Sequence, residues 1–405
     1  MTENTNTSTP AVAPAAASSA AAPAAVAAKP QPAFSPGLEG VIACRTALSH
    51  VDGTAGKLIF AGHNAITLAE DNTIEEVWFL LREGRLPAAM ELNKFRAKVE
   101  KMGVLSADEV NLVKKLRGTE PLSAFRSALS AISVKRGITP WLGRDAAVVD
   151  EEIMSLAALA PAIVEVLHTG RRPKLKTDNA GYAERYLWGV TGKKPSKSDV
   201  RAVETYLILT MDHGLNASTF ASRVTASTGA DVGAALTAGV ATLSGPLHGG
   251  APGPVLDMMD SVGSADQADA WIAAQLAAGT RLMGFGHRIY RTDDPRAMCL
   301  KRVAEKQNGP RIDLAKATEK AALDALTARQ NARAAVDGKA VRALRVNVEF
   351  WTAVVLEHVG IPRELFSSTF CTSRIIGWGA HISEQVKDNK LFRPLSIYTG
   401  DMPAE

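Results

Sequence analysis

The sequence predicts a mainly α-helical, compact body of catalytic size. Three observations carry that expectation. Apolar residues recur at helical spacing over several long stretches, and alternating strand patterns are scarce. The chain has 405 residues, 46% hydrophobic and 22% charged, which is ordinary globular composition with ample material for a large core.

The elements follow in chain order. Residues 1–36 are rich in Ala, Pro, Ser and Thr, with almost no large apolar side chains. They cannot bury enough surface to order themselves and are expected to be a disordered tail. This stretch lacks the charged start and Leu/Val-rich middle of a signal peptide and the arginines of a transit peptide. The segment "ACRTALSHVDGTAGKLIFAGHN" is the one candidate hairpin, with Asp52–Gly53 as its turn. "TIEEVWFLLREG" reads as a helix: Thr73 caps it, acids fill its first turn, and a glycine closes it. "RAVETYLILTMDHG" is a helix expected to run to Gly214, and "TEKAALDALTARQNARAAV" is an alanine-rich amphipathic helix. "VEFWTAVVLEHVGIP" is a buried helix stopped by Gly360 and Pro362. No internal repeat is visible.

Composition excludes several classes of function. Lys+Arg number 46 against 42 Asp+Glu, a net charge of +4, and no basic block stands out, so neither nucleic acid nor a membrane surface is an expected partner. No apolar run reaches the roughly 18 residues of a membrane span. The three cysteines, Cys44, Cys299 and Cys371, form no CxxC pair and fit a reducing cytoplasm.

The chemistry concentrates in turns of the second half: "DHGLNAST" (212–219), "SGPLHGGAPGP" (244–254) and "MGFGHRIYRTDDPRA" (283–297). Each places a histidine beside glycines, which let a ligand approach the backbone. "RVNVEFW" then puts Glu349 at a helix start, "TSRIIGW" supplies Arg374, and "LFRPLSIYTG" supplies Arg393. Arginines can clamp the carboxylates of a small acid, a carboxylate can take a proton from carbon beside a carbonyl, and histidines can stabilise the oxygen that gains charge. The wide spacing of His213, His248 and His287 lacks the short local pairing of zinc motifs. His358 and His381 read as structural helix residues, Trp351 and Trp378 as packing residues, and Asp293 and Asp294 as shaping the turn before Pro295.

"GPLHGG", "MGFGHRIYRTDDPRA", "RIIGW" followed by His381, "RPLSIYTG" and "DHGLNAST" together resemble the citrate synthase family, in order and over nearly the whole chain from Gly37 to Gly400. The resemblance implies an all-α, two-domain fold. Its large domain would comprise 37–250 and 365–405 and its small domain 251–364, with the site in the cleft. It implies that His248 bonds the thioester carbonyl of acetyl-CoA and that His287 polarises the ketone of oxaloacetate. His213, Arg296, Arg374 and Arg393 would bind oxaloacetate, with Arg393 reaching a partner subunit's site in a homodimer. Arg291 and the loop Gly284, Phe285 and Gly286 would meet CoA. Acetyl-CoA would be a co-substrate, with no metal and no permanently bound cofactor.

One departure is visible. The family's base is usually aspartate in an "NVD" context, whereas this chain reads "NVE", so Glu349 is expected to act as base with the backbone compensating for one extra methylene. Three readings stand: citrate synthase, 2-methylcitrate synthase using propionyl-CoA, and a catalytically weak homologue that only binds CoA or a dicarboxylate.

Overall fold

Local chemistry starts and stops most elements where the residues suggest. The computed structural model describes residues 1, 34–173, 180–248, 252–287, 289–337 and 344–403. The tail expected to be disordered falls mostly at 2–33, outside the described residues, as do Gly249 and Gly250. Met1–Arg45 form one unit and Thr46–Glu405 another. In the first, the short 3₁₀ turn Pro36–Leu38 is the regular element among the described residues, and Phe34, Val41 and Ile42 are exposed.

The second unit opens with the hairpin. β1 (Ser49–Asp52) pairs antiparallel with β2 (Lys57–Phe60), which pairs with β3 (His63–Asn64). Asp52 Oδ1 accepts from the Thr54 and Ala55 N–H groups and builds the turn. Helices follow. α1 (Ala65–Asp71), α2 (Ile74–Glu83), α3 (Ala89–Met102), α4 (Ala107–Lys114) and α5 (Pro121–Lys135) lead to the nearly continuous pair α6 (Ala146–Ala158) and α7 (Ala160–Thr169). Then come α8 (Tyr182–Thr191), α9 (Lys197–Thr210), α10 (Ala217–Ser227), α11 (Val232–Leu243), α12 (Gly253–Val262) and α13 (Ala268–Ala277). α14 (Pro295–Gln307), α15 (Pro310–Asp337), α16 (Val348–His358) and α17 (Phe366–Lys387) complete the set.

The predicted helix at 73–84 is α2, with Thr73 and Glu76 forming a reciprocal capping box and Gly84 closing it in the left-handed conformation. The helix expected to end at Gly214 ends at Thr210 instead, because residues 211–214 leave α9 to form the turn that carries His213. Helices dominate, as the pattern predicts, and the only sheet among the described residues is a small three-stranded one in which a third short strand joins the expected hairpin. No described helix is long and apolar enough to cross a membrane.

α17 organises the core. It packs against α2, α5, α6, α7, α9, α10 and α11, and most of its faces are buried. Such a helix must be apolar or internally bonded nearly all round. Trp351 and Trp378 are both fully buried, in line with packing roles.

One buried polar cluster makes a stability prediction. Glu204 on α9 accepts from the Ile74 N–H at 3.1 Å and from Arg201 at 2.9 Å, close to the buried Glu75 of α2. Burial, reinforced by Glu75, raises the Glu204 carboxyl to about 7. A carboxyl raised in the folded state favours folding at low pH, and that stability is lost as pH climbs through about 7. Glu204→Gln is therefore expected to melt near wild type at pH 5 and above wild type at pH 8.5, by about 1–2 kcal/mol of unfolding free energy. Thermal unfolding at the two pH values checks this.

Candidate active site

The loop residues Gly284–Gly286 and the entry to α16 are zipped together. Gly286 N–H donates to the Arg345 carbonyl at 2.7 Å, Asn347 N–H donates to the Gly284 carbonyl at 2.9 Å, and Phe285 bridges Val346. Asn347 adds two side-chain bonds. Its Nδ2 donates to the Gly286 carbonyl at 3.1 Å, and its Oδ1 accepts from the Glu349 N–H at 3.0 Å as the cap of α16. Gly284 has φ +82°, and a methyl group there would lie 2.9 Å from Phe350, so only glycine fits. These bonds set Glu349 and His287 on adjoining pieces of backbone.

His287 has a fixed tautomer. Its Nδ1 accepts from the Ile289 and Tyr290 N–H groups, both at 3.0 Å, so the proton sits on Nε2. That Nε2 lies 3.4 Å from NH2 of Arg296. The two nitrogens are close enough for both to contact one substrate oxygen. Arg296 is buried at the start of α14 and held by a two-pronged bond to Asp294, 3.0 Å from Nε and 2.8 Å from NH2. Asp294 also caps α14. His213 joins this group: its ring centroid is 5.6 Å from that of His287, and its Nε2 is 3.2 Å from the Tyr290 hydroxyl. Burial, with Arg296 and Arg374 nearby, drives the His213 pKa well below the ordinary range, so it is neutral.

His248 is fixed the other way round. Its Nε2 accepts from the Ser218 N–H at 3.2 Å and lies 2.8 Å from the Ser218 hydroxyl, so the proton sits on Nδ1. Burial and Arg374 lower its pKa to about 4. Arg374 is buried on α17, donates from Nε to the Thr210 carbonyl at 2.8 Å and rests over Phe370. No carboxylate forms an ion pair with it among the described residues. Burial lowers its pKa to about 10, with Arg296 adding to the push. A buried cation with no direct ion pair, supported only through space by Asp212, retains the capacity to bind an anion. Glu349 is partly buried, and burial raises its carboxyl to about 7 against the opposing charges of Arg296 and Arg281.

The structure thus brings together His213, His248, His287, Arg296, Glu349 and Arg374, with the Gly284–Phe285–Gly286 loop alongside. It does not bring in Arg291 or Arg393. Both are exposed, and neither side chain makes a hydrogen bond or ion pair among the described residues. Arg393 lies on an extended C-terminal stretch that also exposes Leu391, Leu395, Ile397 and Tyr398. Sequence reasoning missed the supporting groups Ser218, Asn347 and Tyr290, and gave Asp294 only a turn-shaping role. Asp294, as the residue before a helix-starting proline, and Asn347, as a cap residue before α16, carried local signals; Ser218 acts on His248 across the fold and left none.

A helical scaffold presenting a buried anion site, two neutral histidines and a high-pKa carboxylate defines an enzyme built for carbon acid chemistry on a small acid. A family model described as "Citrate synthase, C-terminal domain" matches residues 37–395. The chain is 33% identical to citrate synthase 2 of Bacillus subtilis, over 90% of this chain and 95% of that one. It is 31% identical to the citrate synthase of Acidithiobacillus ferridurans, over 92% and 96%. Among solved structures, it superposes on the Thermotoga maritima citrate synthase with TM-score 0.77 at 30% identity, covering 91% of this chain and 96% of that one. It also superposes on the Thermoplasma acidophilum enzyme, solved as a ternary complex with carboxymethyl coenzyme A and oxaloacetate, with TM-score 0.81 at 28% identity, over 92% and 98%. The chain belongs to the citrate synthase family.

Proposed function

We propose that this enzyme condenses acetyl-CoA with oxaloacetate and water to give citrate and CoA, with Glu349 as base and His248 and His287 as hydrogen-bond donors. The observation that carries the assignment is the pair of oppositely fixed neutral histidines, one donating from Nδ1 and one from Nε2, beside a carboxyl lifted to about 7. Arg374, Arg296 and His213 bind oxaloacetate. The Nε2–H of His287 and NH2 of Arg296 then both bond the ketone oxygen. Glu349 removes a methyl proton from acetyl-CoA while His248 Nδ1–H bonds the thioester oxygen. The resulting carbon attacks the polarised ketone, and water cleaves the thioester of citryl-CoA, releasing CoA.

The chain folds as a large domain of 37–250 and 365–405 and a small domain of 251–364 that close over the substrates. Two copies form a homodimer in which Arg393 reaches the partner's site. The apolar side chains exposed along 391–398 support this, because they are what such an arm would bury. Arg291 and the 284–286 loop bind CoA. The free cysteines, two of them buried, fit the cytoplasm, and the reaction is the entry to the tricarboxylic acid cycle.

The test is CoA thiol release with oxaloacetate, comparing acetyl-CoA with propionyl-CoA. Higher kcat/KM on acetyl-CoA supports citrate synthase; preference for propionyl-CoA moves the assignment to 2-methylcitrate synthase; no release with either makes the chain a binding homologue. The same assay reads the base. Glu349 accepts a proton only when ionised, so kcat/KM for acetyl-CoA is expected to fall tenfold per unit below pH about 7 and to level off above it. A limb near the ordinary carboxylate range would mean that the Glu349 carboxyl is not raised, and the loss of the limb in Glu349→Gln would assign it.

A further inference from the structure

Behind the site lies a buried polar array that the reaction does not use. Arg223 NH1 donates to His381 Nδ1 at 2.9 Å and pairs with Glu384 at 2.6 Å. Arginine only donates, so Nδ1 is bare and the His381 proton sits on Nε2, 3.2 Å from Asp212 Oδ2. The Ser49 hydroxyl donates to the same carboxylate oxygen, and Ser49 Oγ accepts from the Gly214 N–H at 3.1 Å. Asp212, His381 and Arg223 are all buried. The turn 212–214 is therefore gripped by Ser49 at both ends, with His213 held in the middle.

α17 meets this turn in register. Arg374, Gly377 and His381 share one helix face at spacings i, i+3 and i+7. Along that face Arg374 bonds the Thr210 carbonyl, Gly377 lies against the Met211 carbonyl, and His381 bonds Asp212. A methyl group at Gly377 would overlap that carbonyl. Three successive residues thus match three successive contacts, and a slip at His381 would be transmitted to Arg374. Asp212 is the point where the helix carrying one oxaloacetate ligand and the turn carrying another are tied. Its second oxygen, Oδ1, is buried without a hydrogen-bond partner among the described residues. The charges of Asp212 and Arg374 support each other: Arg374 helps to lower the Asp212 pKa, and Asp212 works against the lowering of the Arg374 pKa.

We propose that Asp212 and His381 are positioning residues for oxaloacetate: neither touches it, but together they hold His213 and Arg374 at the spacing its carboxylates require. This rests on the site assignment above, and the experiment separates the two. Asp212→Ala and His381→Ala are expected to raise the oxaloacetate KM by about 10- to 100-fold, with the acetyl-CoA KM within about twofold. His381→Gln keeps an N–H toward Asp212 and is expected to recover most of the loss. Ser49→Ala, at the edge of the array, provides a variant that folds if the buried ones do not; it should raise the oxaloacetate KM by about 3- to 10-fold. Arg374→Met and His213→Gln are run alongside. If these two raise the oxaloacetate KM and the array variants do not, the positioning proposal is overturned alone. If array variants only lower the melting temperature, with both KM values unchanged, their role is structural and the proposal is also overturned. If Arg374→Met and His213→Gln leave the KM unchanged, the site assignment itself fails.

Discussion

Glu349→Gln is expected to lower kcat by about a thousandfold while leaving both KM values within a few-fold of wild type. The substitution is isosteric. It removes the ability to take a proton but keeps the helix cap, because Asn347 bonds the backbone N–H of residue 349 rather than its side chain. The 284–286 zipper is likewise built from other residues. A loss confined to kcat therefore reports the base and not the scaffold. Glu349→Asp is expected to lose about tenfold or more, since the carboxylate withdraws by one methylene from where this backbone aims it. Thiol-release kinetics of both variants check the pair. More than a tenth of wild-type kcat in the glutamine variant would place the base elsewhere.

Arg374→Met is expected to raise the oxaloacetate KM by at least about 100-fold, in keeping with the roughly 2–5 kcal/mol lost when one member of a buried charge pair is truncated. In the free protein Arg374 is buried without a direct ion pair among the described residues; burial pushes its pKa down to about 10 while the charge of Asp212 supports it. Exchanging it for an apolar side chain removes the burial cost of the cation but also the support it gives the buried Asp212 carboxylate, so the two effects offset and the ligand-free variant is expected to melt close to wild type. Oxaloacetate should raise the melting temperature of the wild type and not of the variant. A variant that melts lower and still binds oxaloacetate would make Arg374 a structural residue.

Much of the fold was legible because its signals are local. Thr73 with Glu76, the Asp52–Gly53 turn and the glycine after α16 each act within a few residues of the boundary they set. The end of α9 was misjudged by four residues because the helix is stopped by tertiary demand: the chain must leave it to be gripped by Ser49 and α17. The reactive groups were legible as glycine-flanked histidines, a helix-start carboxylate and arginines in family motifs. Their tautomers were not. The partner that fixes His248 is Ser218, thirty residues earlier in the chain, and the pKa of Glu349 depends on burial that no local pattern records. His381 shows the limit most clearly. Its helical position suggested a structural residue, and only the fold reveals Asp212 on one side of the ring and Arg223 on the other.

The contact at Gly377 also bears on how this sequence can vary. Most positions in a helix this long tolerate drift, because a neighbour can shift by a fraction of an ångström. Here the obstacle is main chain, the Met211 carbonyl, which cannot swing aside as a side chain would. Alanine, the mildest exchange elsewhere in a helix, is closed to this site, and a library of random variants screened for growth on citrate formation should return glycine alone at 377. Surface positions on the same helix, such as Lys387, should return almost anything.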